Sequence, residues 1–194
     1  MEWGALGLGP APTSGDSDTE EGREIATQET DHIQVARAAV EHGEFAQTRG
    51  APANDAEYFA DMTKSIARAG LNWKVIDNKW DGYLAAFEGF NIDIVARYGD
   101  GDIERLMADA SIVRNRKKII STITNAREFQ TVLAEHGSFE SYLKSLAPTG
   151  EQATIKTLAK RFAHLGPSTS AIFLWMVGYD MPEHAAYMLE KYGE

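Results

Sequence analysis

The stretch Ile103–Arg127, IERLMADASIVRNRKKIISTITNAR, decides the fold. Ile103, Leu106 and Met107 have the spacing of a short helix, and Ala110, Ser111 and Ile112 form a tight connection. Val113, Arg114, Asn115, Arg116, Lys117 and Lys118 then open a long helix that runs to about His136, with Ile119, Ile120, Ile123, Ala126, Phe129 and Leu133 facing inward. A tight turn at a helix start presents unpaired backbone N–H groups and the positive end of the helix dipole, which suits a phosphate. Four basic side chains stand beside those amides. An ordinary solvated helix start accounts for the same composition, but cations set against the positive dipole end favour an anionic partner.

The flanking sequence is helical in both directions. Upstream, Asn54 followed by Glu57 makes a capping pair for a helix through Tyr58, Phe59, Met62 and Ile66 to Ala69, which Gly70 ends. A second segment carries Val75, Ile76, Trp80, Tyr83, Leu84 and Phe87 and closes at Gly89. Short helices are expected over Ile92–Tyr98 and Asp102–Asp109. Downstream, Ser138 caps a helix containing Phe139, Tyr142, Leu143 and Leu146, residues 147–150 form a loop, and Ile155–His164 is amphipathic. Gly166, Pro167 and Ser168 introduce the most apolar helix, Ala171–Val177, and Pro182 starts a terminal one. No alternating strand pattern competes, so the fold class is all-α.

At 194 residues the chain suits one domain. Residues 1–30 lack any period and read as an irregular, acidic, disordered tail, followed by a helical domain over 31–194 that begins with a short helix around Ile33, Ala36 and Val40, stopped by Gly43. Residues 1–31 carry eight acidic side chains against Arg23 alone, so most of the net charge of −10 lies there and only about −3 on the rest. A local basic surface is therefore compatible with the acidic total. The chain has no cysteine, which excludes disulfides, thiol nucleophiles and thiolate zinc sites. Met1–Pro12 does not read as a signal peptide and no apolar run is long enough to span a bilayer, so a cytoplasmic protein with no membrane partner is expected.

The second informative segment is Ala69-Gly70-Leu71-Asn72-Trp73, a turn between helices that sets an indole beside exposed backbone. Enzymes that act on a base extrude it and hold it between aromatic or apolar faces. Trp73 is suited to that, and equally to a place in the core.

In order and spacing, this turn, Tyr83, Phe87, the Asp102–Leu106 helix, Ile112–Ile119, Asn125-Ala126-Arg127 and the C-terminal set Lys160, Arg161, Phe162, Leu165, Gly166, Ser168, Phe173, Met176 and Gly178 resemble the DNA-3-methyladenine glycosylase I family. The resemblance covers about Asp55–Gly178. It implies the helix-hairpin-helix DNA glycosylase fold and hydrolysis of the N-glycosidic bond of alkylated purines such as 3-methyladenine in double-stranded DNA, by a monomer without a cofactor. Trp73 matches the pocket tryptophan that stacks on the extruded base, with Asn72 beside it and Phe45 as an aromatic neighbour. Ala110, Ser111, Ile112, Arg114, Asn115, Arg116, Lys117 and Lys118 match the phosphate-binding hairpin. The family's hairpin glycine falls on Ser111, where close backbone approach is harder. Its base-recognising acid, eight positions before the tryptophan, falls on Ser65.

A serine hydroxyl is shorter than that acid and cannot supply negative charge to a cationic base, a loss of about 1.5–3 kcal/mol. The family's zinc ligands are not matched; His184 lies near one but lacks its cysteine partner, so no metal is expected. A catalytically silent homologue that binds DNA or a free purine is the alternative that Ser65 raises.

Overall fold

Nine α-helices and two 3-10 turns make up residues 50–181, the part of the chain that this computed structural model describes. No strand occurs among the described residues, in agreement with the all-α expectation. The readings made for residues 1–49, including Phe45, and for 182–194, including His184, lie outside them.

Helix α1 (Asp55–Arg68) starts as the sequence dictates: Asn54 Oδ1 accepts the Glu57 amide at 3.0 Å and the Glu57 carboxylate accepts the Ala53 amide at 3.0 Å. Phe59, Met62 and Ile66 follow one another down its buried face. The expected second helix is in fact two, α2 (Trp73–Asp77) and α3 (Trp80–Ala86). The break falls at Lys79, whose ammonium donates to the Ala110 carbonyl at 2.6 Å and so ties it to the Ile103–Arg127 turn.

A 3-10 turn at Glu88–Phe90 follows, with three consecutive positive φ angles of 52°, 61° and 59°. For Glu88 and Phe90 this costs on the order of 1–2 kcal/mol each. Burial of the Phe90 ring against Trp80 and Phe87, with centroids 5.3 and 5.6 Å away, offsets that strain.

Helices α4 (Ile92–Ala96) and α5 (Asp100–Ala108) lead to the long α6 (Arg116–His136), capped by Asn115 at its start and ended at Gly137, whose φ is 79°. Helix α6 is the spine, packing on α1, α4, α5 and the following α7 (Phe139–Leu146). Phe129 lies at its centre, fully buried, with ring centroids of Phe59, Phe139 and Phe162 at 5.2, 4.4 and 5.6 Å. Ile120, expected to face inward, is instead exposed, because the inner stripe runs through Ile119, Ile123 and Ala126.

A second 3-10 turn, Ala147–Thr149, precedes α8 (Glu151–Arg161) and α9 (Pro167–Met176). Helix α8 begins earlier than the apolar period suggests, held by the Thr154 hydroxyl donating to the Gly150 carbonyl at 2.9 Å. Proline at the first position of α9 needs no partner for its missing N–H, and Phe173 and Leu174, both fully buried, carry the inner face of that helix into the core.

Candidate nucleic-acid interface and base site

The turn between α5 and α6 is built from Asp109 to Asn115. Asp109 Oδ1 accepts the Ser111 amide at 2.8 Å, and Tyr83 Oη accepts the Val113 amide at 3.3 Å. Ile112 is buried and anchors the turn, while Ala110, Ser111, Arg114, Arg116 and Lys117 are exposed. Ser111 does not have a positive φ, so the turn does not require the left-handed backbone that favours glycine. The close approach is made by Gly82 instead: a Cβ there would stand 2.5 Å from the Ser111 carbonyl oxygen. Asn115 Oδ1 caps α6 through the Lys118 amide at 3.2 Å, and Arg116 pairs with Glu104 at 2.7 Å.

Lys118 behaves differently from its basic neighbours. Its ammonium turns inward and donates to the carbonyls of Ala67 and Ala69 at 2.9 and 2.5 Å, the last turn of α1. One lysine thus fastens the start of α6 to the Gly70-Leu71-Asn72-Trp73 turn, and burial lowers its pKa. Beside it, Thr63, Tyr83 and Thr122 help line a cavity of about 10 Å³, room for no more than about one water and far too small for a purine.

At the turn, Asn72 Oδ1 accepts the Lys74 amide at 3.0 Å and caps α2. Trp73 is buried, 4% exposed, with the Arg68 guanidinium 4.7 Å from its ring centroid. Ser65 lies one turn back on α1, also buried, and its hydroxyl donates to the Asp61 carbonyl at 2.9 Å. The sequence-read residues Ser65, Asn72 and Trp73 therefore share one neighbourhood, and Lys118 joins it to the hairpin.

Two parts of this neighbourhood escaped the sequence reading. Asp77 Oδ1 accepts from both Arg68 (2.6 Å) and Lys64 (2.9 Å), and Lys64 also sits 5.1 Å from the centroid of Trp80. The signal was the spacing Lys64, Arg68 on one helix face, with Asp77 four residues after Trp73 on another. Leu71 is 40% exposed at the turn between α1 and α2, an apolar side chain left in water beside the tryptophan. The motif residues Asn125 and Arg127, by contrast, are structural: Asn125 bridges both backbone groups of Ala163, and Arg127 donates to the carbonyls of Ala96 and Tyr98.

Burial raises the Asp77 pKa, but hydrogen bonds from Lys64 and Arg68, with their charges, outweigh it and hold the carboxyl below its ordinary value. The unfolded chain therefore binds the extra proton first, so the stability Asp77 contributes is complete above about pH 3.9 and fades as pH falls through the lower folded pKa. Asp77→Asn is expected to lower stability at neutral pH and to flatten the acid limb of a urea-stability curve. An acid limb identical to that of the unaltered chain would exclude this pairing.

A basic hairpin helix, a buried tryptophan behind a helix break and an all-helical frame describe a helical DNA glycosylase fold. Among solved structures, 3-methyladenine DNA glycosylase I from Staphylococcus aureus is similar, with a TM-score of 0.61 and 27% identity over 67% of this chain and 80% of that one. A tyrosine-to-phenylalanine variant of 3-methyladenine DNA glycosylase I in complex with 3-methyladenine gives 0.62, at 27% identity over 67% and 81%. DNA-3-methyladenine glycosylase 1 of Escherichia coli (strain K12) is 32% identical over 123 residues, 63% of this chain and 64% of that protein's length. The methyladenine glycosylase family matches residues 44–172, and the chain belongs to it.

No three His, Asp or Glu side chains gather into a possible metal site among the described residues, and none of the described helices is long and apolar enough to cross a membrane.

Proposed function

We propose that this protein hydrolyses the N-glycosidic bond of alkylated purines, of which 3-methyladenine is the type, in double-stranded DNA. It acts as a cytoplasmic monomer through its helical domain, residues 31–194. The observation that carries this reading is the Lys118 link, which fixes the Trp73 turn to a basic helix start in a chain of the methyladenine glycosylase family. The hairpin of Ala110, Ser111, Ile112, Arg114, Asn115, Arg116 and Lys117 takes the DNA phosphate through positive charge and the backbone amides not already used within the turn, where Asp109 holds that of Ser111 and the Val113 carbonyl that of Asn115. Lys118 supports them from behind.

The extruded base stacks on Trp73, with Ser65 and Asn72 beside it. Leu71 fills the gap the base leaves, as apolar wedges do between base steps, a role that its exposure beside Trp73 supports. A purine alkylated at ring N3, as in 3-methyladenine, carries positive charge in DNA and is already a good leaving group, so strong acid catalysis is not needed. A pocket that favours the departed neutral base over the charged ground state accelerates cleavage, DNA phosphates stabilise the cationic sugar, and water is the nucleophile.

The test is release of 3-methyladenine from methylated duplex DNA by the full chain. Release well above the spontaneous rate is expected; none, with folded protein in excess, sinks the reading.

A further inference from the structure

Leu71, Lys74, Val75 and Asn78 are exposed, whereas Trp73 and Ile76 between them are buried. Spacings of three, four and seven residues put the four on one outward face of the turn and α2. Both ends of that face are fixed to the hairpin. Before it, the Lys118 ammonium holds the Ala67 and Ala69 carbonyls, and after it the Lys79 ammonium donates to the Ala110 carbonyl at 2.6 Å. The strip is therefore continuous with the hairpin surface, which adds the exposed Arg114 and Lys117.

Most cations of this neighbourhood are used within the chain. Lys64 and Arg68 converge on Asp77, Lys79 holds Ala110 and Arg116 pairs with Glu104. Lys74, like Arg114 and Lys117, makes no ion pair or side-chain hydrogen bond among the described residues. An exposed lysine alone is an ordinary solvated side chain. Here it stands with two apolar ones: Leu71 and Val75, 40% and 44% exposed, are two of the four large hydrophobic side chains left in water among the described residues. A cation set among aliphatic side chains matches the backbone of a duplex, where anionic phosphates alternate with the less polar faces of sugars.

We infer that this face of α2 is a second DNA contact. Lys74 takes a backbone phosphate beside the point where Leu71 enters the duplex, Val75 lies against the adjoining sugar, and the Asn78 amide donates to a neighbouring backbone oxygen. The inference rests on the glycosylase reading of this site and adds to it a contact outside the hairpin. The hairpin alone holds the duplex at one place and leaves it free to pivot. A phosphate held on Lys74 removes that freedom, so the extruded base arrives at Trp73 in one register. Because these groups meet backbone and not base edges, the contact is the same for any sequence and any lesion.

The experiment measures binding of the full chain to an undamaged fluorescent duplex by anisotropy, between about 50 and 200 mM salt. Loss of one phosphate contact lowers the slope of log K against log salt by about 0.9. Lys74→Gln is expected to show that fall and to bind severalfold more weakly at low salt, while Lys74→Arg keeps the slope of the unaltered chain. Lys156→Gln is the control: it removes an equally exposed charge from α8, which packs on α9 and the second 3-10 turn, and should leave the slope as it is. Thermal unfolding checks that each variant is folded. A Lys74→Gln slope equal to that of the unaltered chain, or an equal fall in Lys156→Gln, overturns the inference.

Base release from methylated duplex, followed in parallel, separates this inference from the reading beneath it. Release with an unchanged Lys74→Gln slope sinks the second contact and leaves the glycosylase reading. A fallen slope without release does the reverse. A chain that binds no duplex at the lowest salt overturns the inference whatever it excises.

Discussion

Lys118→Met is expected to lower folding stability by roughly 2–4 kcal/mol and to slow base release about tenfold or more. The ammonium satisfies the Ala67 and Ala69 carbonyls, which lie at the end of α1 where no further turn supplies amides. Methionine retains the apolar stem, so packing changes little and the loss falls on two carbonyls deprived of their donor. The functional loss follows because this contact sets the distance between the hairpin that holds the phosphate and the turn that presents Trp73. Urea denaturation and excision rates check both parts; a variant as stable as the unaltered chain would show that Lys118 does not carry the link.

The same variant has a pH signature. Burial lowers the folded pKa of Lys118 below its unfolded value near 10.4, so as pH rises between the two the native state sheds its proton first and stability increases. Tyr58, Tyr83, Tyr98 and Tyr142, all raised by burial, act in the opposite sense above about pH 10. They are common to both proteins. Subtracting the curves isolates Lys118, and the rise below pH 10.4 should be absent from Lys118→Met.

Much of the frame was legible because it is local. The Asn54–Glu57 cap, the Ser138 cap and the apolar period of α6 are settled within four residues of chain, the range over which sequence patterns report helix starts and faces. The break between α2 and α3 was not legible, since Lys79 finds its partner at Ala110, 31 residues away. Nor was the left-handed run at Glu88–Phe90, where burial of one aromatic ring overrides local backbone preference.

The site divides the same way. Trp73 and the hairpin residues could be read from order and spacing, whereas Arg68 could not, because its meaning comes from meeting Trp73, Asp77 and Met176, which lie on two other helices. Ser65 was visible as a lost carboxylate. That a guanidinium one turn further dominates the surroundings needed the packing of α1 against α9.

The sharpest discrimination between an enzyme and a catalytically silent homologue is expected from Trp73→Ala. Base release should fall to the spontaneous rate, and stability should drop by about 3–5 kcal/mol, the usual consequence of truncating a buried tryptophan. The two losses need separating, since an unfolded chain would also be inactive. Trp73→Phe does this: it keeps a flat ring under Arg68 and on the base, and should retain measurable release at a smaller stability cost. Excision is compared at a temperature where circular dichroism shows all three proteins folded.

Release that follows the ring, high in the unaltered chain, intermediate with Phe and absent with Ala, requires stacking of the base on residue 73. A folded Trp73→Ala chain excising at the original rate would remove Trp73 from the pocket and leave it as core alone.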